Sequence, residues 1–155
     1  NLGFAFKTLY LRDRQTSHLE AAIEAYRAAL NEWTRDRVPL KWALVQSNLG
    51  DALALQGLRE PGIAQLEQAV KAYRAALEKR SQVPLDWATT QQNLGVTLRA
   101  LSQRERSTAR LDEAAYAARA ALEVYSAAPL PKDRGQVAAF LKELDEFRRK
   151  LADDR

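Results

Sequence analysis

Apolar residues return along most of this chain at spacings of three and four, the period of a helix with one buried stripe. Trp42, Val45, Leu49, Ala52 and Leu53 form one stripe, and Leu66, Ala69, Val70, Tyr73, Ala76 and Leu77 form the next. Pro39 and Pro84 suit the first turn of a helix, where the missing N–H has no intrahelical partner to lose. Gly57 and Ser102 mark the expected ends of those helices. Second helices are expected to open near Ser17, Pro61 and Thr108. Ser17-His18-Leu19-Glu20 reads as a capping box, with Ser17 at the cap and Glu20 reaching back. The pattern predicts seven helices, over roughly residues 1–12, 17–35, 39–57, 61–80, 84–103, 108–126 and 132–152. Trp42, Leu49, Leu53, Tyr73, Leu77, Trp87, Leu94, Leu98 and Leu122 are expected in the core.

The helices repeat. Val38-Pro39-Leu40-Lys41-Trp42-Ala43 returns as Val83-Pro84-Leu85-Asp86-Trp87-Ala88, and residues 38–82 laid over 83–127 share 22 identities in 45 positions. An earlier copy is displaced by 47: Leu19–Leu30 matches residues 66–77 at 9 of 12 positions, and Asn1-Leu2-Gly3 matches Asn48-Leu49-Gly50 and Asn93-Leu94-Gly95. Self-similarity at such a period is the mark of a stacked array. The chain is expected to be one array: a partial first repeat over 1–37, a second over 38–82, a third over 83–127, and a C-terminal capping helix over 128–155. In that last segment Leu130-Pro131 and Gln136 keep the register, but Ala138-Ala139-Phe140 replaces the Asn-Leu-Gly signature. Val137, Phe140, Leu141, Leu144, Phe147 and Leu151 form its stripe, beside a charged face that suits an array end. The first copy opens in the middle of its first helix, which reads as a piece of a longer array.

The two-helix unit resembles the tetratricopeptide repeat over residues 1–127. That family carries Leu-Gly followed by an aromatic or leucine in the first helix, here Leu49-Gly50 with Leu53 and Leu94-Gly95 with Leu98. Its second helix carries Ala, an aromatic four later, then Ala-Leu. Here these are Ala22, Tyr26 and Ala29-Leu30, and Ala69, Tyr73 and Ala76-Leu77; the third copy has Ala114, Ala118 and Ala121-Leu122 and has lost the aromatic. The family's repeat is roughly 34 residues long, and the 45 found here are similar to the extended repeats of kinesin light chain and of many bacterial signalling proteins. The resemblance implies a right-handed superhelical solenoid of antiparallel hairpins. It also implies a scaffold that binds a peptide or partner protein in its concave groove, as part of a larger signalling or regulatory protein.

Composition adds little chemistry. With no cysteine there is no disulfide framework or thiolate site, which fits a reducing, cytoplasmic location. No apolar run approaches the length of a membrane span, and no membrane partner is expected. The net charge of +4 comes from cations interspersed with carboxylates, a poor footprint for nucleic acid. Arg27, Arg74 and Arg119 recur at one repeat position and read as a solvated face whose carbon stems cover apolar surface. The single histidine, His18, reads as a solvated residue at a helix start. The carboxylate pairs Asp112-Glu113 and Asp153-Asp154 read as helix faces and ends. With no metal-ligand spacing and no phosphate loop, no catalytic residue, cofactor or metal site is proposed, and the chain is expected not to be an enzyme.

The recurring asparagines Asn1, Asn48 and Asn93 carry the sharper signal, because asparagine is a poor helix former and its return in mid-helix needs a reason. One reason is a side-chain hydrogen bond between neighbouring hairpins. The other is an amide ladder that reads the backbone of an extended peptide, which is what the resemblance implies for this position. Helical geometry sets Leu44, Ser47, Asp51 and Leu55 beside Asn48, and Thr89, Gln92, Val96 and Arg99 beside Asn93, with Phe4, Lys7 and Thr8 as the first copy's share. Chaperone-binding members grip a C-terminal carboxylate with lysines one residue before the asparagine. Ser47 and Gln92 stand there instead, so an internal peptide segment is the expected ligand. Trp42 and Trp87 share a repeat position and read as packing residues, whereas Trp33 has no counterpart and is freer to meet a partner. The alternative is an architectural module that self-associates through the open face of its first helix as a homo-oligomer.

Overall fold

A computed structural model describes residues 2–78, 83–128 and 131–153. Asn1, Leu130, Asp154 and the expected last residues 79 and 80 of the fourth helix lie outside them. The described residues form seven helices and no strand. They fall into two compact units, Asn1–Lys79 and Arg80–Arg155.

The first unit holds α1 (Leu2–Asp13), α2 (Thr16–Glu32), α3 (Pro39–Arg59) and α4 (Ala64–Leu77). α1 packs on α2, α2 on α3, and α3 on α4. The connections between them are short, from two residues to six. Arg14 turns the chain out of α1 in the left-handed region, at φ 61°, with its N–H donating 2.8 Å to the Tyr10 carbonyl. The capping box does not form: α2 begins at Thr16, and its cap, Gln15, makes no side-chain bond to the helix. Asp13 takes over at this corner. Its carboxylate accepts from the Gln15 N–H at 3.0 Å and lies 3.1 Å from His18 Nδ1. Those two contacts, the backbone bond first, hold Asp13 below the usual carboxylate range. His18 is accordingly half-buried, stacked against Phe6, and not fully solvated.

Two expected helix limits move for steric reasons. α3 runs through Gly57 to Arg59. Gly57 is there for close approach, since a Cβ on it would lie 2.8 Å from Leu66 Cγ and 2.9 Å from the Leu66 nitrogen. α4 starts at Ala64, beyond Pro61-Gly62, a turn dipeptide that delays the helix.

The second unit holds α5 (Pro84–Glu105), α6 (Thr108–Ala127) and α7 (Pro131–Asp153), with α6 packed on both of the others. Arg106, at φ 52°, ends α5. Buried Ser102 fastens the corner by donating 2.7 Å to the Ser107 carbonyl. α5 runs on past Ser102, the expected marker of its end, to Glu105.

Leu49, Leu53, Tyr73, Leu94 and Leu98 are buried as expected. Trp42, Leu77, Trp87 and Leu122 are only half-buried. Each tryptophan sits four residues into its helix, where a large ring reaches past the packed layer. The Trp42 face takes the Arg35 guanidinium at 5.8 Å, and Arg35 pairs with Glu78 at 2.8 Å. Trp87 borders a depression of about 600 Å³ with Leu85, Val124 and Ala127.

A slot in the core recurs with the repeat. A Cβ on Gly3 would lie 2.6 Å from the Tyr26 ring, and one on Gly50 would lie 2.7 Å from the Tyr73 ring. The signature glycine is where the second helix's aromatic ring closes on the first helix. At Gly95 that aromatic is missing, and Phe140 of α7 stands 3.3 Å from the same place. The glycine at the corresponding position of the fourth copy has itself become that phenylalanine.

Candidate functional site

In the first unit α3 carries Leu44, Ser47, Asn48 and Asp51 along one face, and α1 brings Phe4 and Lys7 beside them. Leu44 and Phe4 are each more than half exposed. Asn48 bonds in two directions: its Nδ2 donates 3.0 Å to the Leu44 carbonyl one turn back, and its Oδ1 accepts from Lys7 Nζ at 3.2 Å. Lys7 also reaches Asp51 Oδ2 at 3.0 Å, and the other Asp51 oxygen accepts from the Tyr73 hydroxyl at 2.9 Å. The Lys7 stem lies near the Phe4 ring, with Nζ 5.8 Å from its centre. Lys7, Asn48, Asp51 and Tyr73 thus form one bonded group linking α1, α3 and α4.

The amide of Asn48 has two N–H donors and its oxygen two lone pairs. The bonds to Leu44 and from Lys7 take one of each, and the side chain is half-exposed. The inter-helix bond foreseen as one reading of the asparagine is therefore present at Asn48, and half of the amide's capacity is left over.

Just behind this group the Tyr26 hydroxyl is fully buried and has no hydrogen-bond partner. Its pKa is pushed up to about 12, first by burial and then by the negative charge of Asp51. The repeat register explains the missing bond: the counterpart of Asp51, which receives the Tyr73 hydroxyl, is Phe4 in the first copy.

In the second unit α5 sets Thr89, Gln92, Val96 and Arg99 on one strip, with Asn93 alongside. Tyr125 of α6 ties down the first two, its hydroxyl lying 3.1 Å from Thr89 Oγ1 and 3.3 Å from Gln92 Oε1. Thr89 donates to the Leu85 carbonyl at 2.9 Å and is exposed. Asn93 is half-exposed, and its backbone carbonyl accepts from Thr97 Oγ1 at 2.9 Å. Val96 is exposed, and Arg99 is half-buried with its Nε shielded and unbonded. The Tyr125 anchor had no sequence signal, because the residue two repeats earlier is Trp33 and a hydroxyl has no periodicity of its own.

No protein-family model matches the chain. Nor does any curated protein match it.

The remaining candidates are quickly placed. Trp33 is half-buried under the Lys41 ammonium, 5.6 Å from its ring centre. Arg27, Arg74 and Arg119 are exposed, with Arg27 bonded to Gln68. Asp112 receives Arg148 from α7. Among the described residues no three His, Asp or Glu side chains are grouped to hold a metal. No helix there is long and apolar enough to cross a membrane.

Proposed function

We propose that the chain is a tetratricopeptide-like scaffold, a right-handed solenoid whose first helices line a groove that binds an extended peptide segment of a partner protein. The observation that carries this reading is the surface make-up of α3 and α5. On both, exposed apolar side chains (Leu44, Val96) stand next to half-exposed amides (Asn48, Asn93), while the opposite stripe is buried. Amides held at helical spacing offer donors and acceptors to a peptide backbone, and apolar neighbours offer contacts to its side chains. Fixing amides on this surface beforehand, as Lys7 fixes Asn48 and Tyr125 fixes Gln92 beside Asn93, lowers the ordering cost of binding.

The test is a display library of random twelve-residue peptides panned against the purified chain, followed by affinity measurements on the enriched sequences. Asn48→Ala combined with Asn93→Ala should weaken binding at least severalfold. Lys7 keeps Asp51 in that variant, so stability should fall only by about 1 kcal/mol. Unchanged affinity would remove the asparagines from the site.

A second reading, self-association, is favoured by one observation: Leu2, Phe4 and Leu11 on α1 are all about half exposed or more. A sedimentation series that shows a concentration-dependent mass, abolished by Phe4→Ser, would support it.

A further inference from the structure

We propose that Arg99 is the charge-reading position of the groove, receiving an aspartate or glutamate side chain of an acidic peptide. The inference rests on the peptide-binding reading above and deepens it. Offsets of 47 and 45 carry Lys7 to Ala54 and Ala54 to Arg99, so Lys7 and Arg99 occupy the same place in their repeats. Both are cations at the edge of a first helix. The first is neutralised inside the protein: one repeat further on, Asn48 and Asp51 accept its ammonium at 3.2 and 3.0 Å.

For Arg99 the same step along the sequence leads to Ala138 and Leu141 of α7. Both acceptors have been replaced by side chains that accept nothing. Arg99 consequently makes no hydrogen bond or ion pair among the described residues, and its Nε is shielded from solvent without a partner. A half-buried guanidinium whose Nε has lost hydration and gained no acceptor is set to gain from an incoming carboxylate. The guanidinium fork matches a carboxylate in two-point geometry.

The surroundings suit a peptide carboxylate better than a bare ion. Exposed Val96 lies one turn before Arg99 on the same strip, and Gln92 precedes it by another turn with its amide fixed by Tyr125. The strip therefore presents an amide, an apolar patch and an unneutralised cation in order. The first unit's own Lys7–Asp51 pair shows in cis the charge arrangement the ligand would complete in trans.

The peptide library separates this inference from the reading beneath it. Wild-type chain should enrich peptides with an acidic residue at one fixed position. Replacing that residue by its amide in an enriched peptide should weaken binding about tenfold, as expected for loss of a charged hydrogen bond. Arg99→Gln should erase the difference between the acidic and amide peptides, and Arg99→Lys should keep part of it. Val96→Asp should also erase it, by placing a carboxylate on the exposed surface three residues from Arg99. Each variant's helical content and melting temperature should match the wild type. Enriched peptides without an acidic preference would overturn the role of Arg99 and leave the groove reading standing. No enrichment at all would overturn both. A uridine oligonucleotide that binds wild type and is lost in Arg99→Gln would show that the anion is a phosphate, and would overturn the peptide carboxylate.

Discussion

The hairpins α3–α4 and α5–α6 descend from one 45-residue unit with 22 positions unchanged, yet they complete that unit differently. In α3–α4 the signature glycine receives an aromatic from its own hairpin, Tyr73, whose hydroxyl then bonds Asp51. In α5–α6 the aromatic is gone, and the following helix fills the place from outside with Phe140. The electrostatics diverge in the same way. Asp51 joins Lys7 in the first unit, while its counterpart Val96 is an exposed apolar residue. What persists in both hairpins is a steric slot over a glycine, closed by an aromatic ring. Which residue fills it, and whether a charge group is built behind it, varies between copies.

The comparison can be tested from its strongest consequence downward. Leu49→Ala and Leu94→Ala remove the same buried leucine from the two hairpins, each 7% exposed. Both should destabilise by about 2–5 kcal/mol in urea unfolding. A loss below about half a kcal/mol at either would mean that copy's core lies on another face.

The glycines should behave less alike. Gly50→Ala sets a methyl 2.7 Å from the Tyr73 ring, which must move, so a cost of about 1–3 kcal/mol is expected. At Gly95 the nearest atoms are 3.2 and 3.3 Å away, and better helix propensity offsets the squeeze. Gly95→Ala should fall within about 1 kcal/mol of wild type. Equal losses at the two sites would mean that the Ala114 carbonyl and Phe140 together yield no more readily than Tyr73.

Smaller effects separate the tyrosines. Tyr73→Phe gives up the bond to Asp51 and should cost about 0.5–1.5 kcal/mol. Tyr26→Phe removes a buried hydroxyl without a partner and should be neutral or slightly stabilising. Alkaline pH gives a further test of Tyr26. Its folded pKa lies at about 12, above the ordinary 10.0, so the unfolded chain ionises first. The stabilisation this represents is complete below pH 10 and is lost as pH rises through 12. Tyr26→Phe should therefore flatten the fall in stability between those limits, as followed by thermal melts across that range.

Most of the helical layout was legible beforehand because helical period, proline at the first turn and internal duplication are all local signals. Seven helices are expected and seven are found among the described residues, each with its described limits within about three residues of the expected ones. The misses have physical causes. Trp42 and Trp87 were placed in the core because they repeat, but repetition marks a shared environment and not its depth. The Ser17 cap failed because Asp13, from the preceding helix, satisfies the corner instead. Of the candidate site, the faces of Leu44, Ser47, Asn48 and Asp51 and of Thr89, Gln92, Asn93 and Arg99 follow from helix geometry. The bonds of Lys7 to Asn48 and Asp51 do not, since they join residues more than forty positions apart.

Sequence alone determined that this chain is all-helical, that its helices come as duplicated hairpins, and which stripe of most helices turns inward. These properties depend on contacts within a few residues and on a pattern written several times over. Only the tertiary structure decided that Phe140 replaces a lost tyrosine, that Asn48 is already half-committed, that Tyr26 is buried without a partner, and that Arg99 lacks the acceptors Lys7 has. Each depends on which side chain from another helix reaches a given point in space, and no local pattern encodes that.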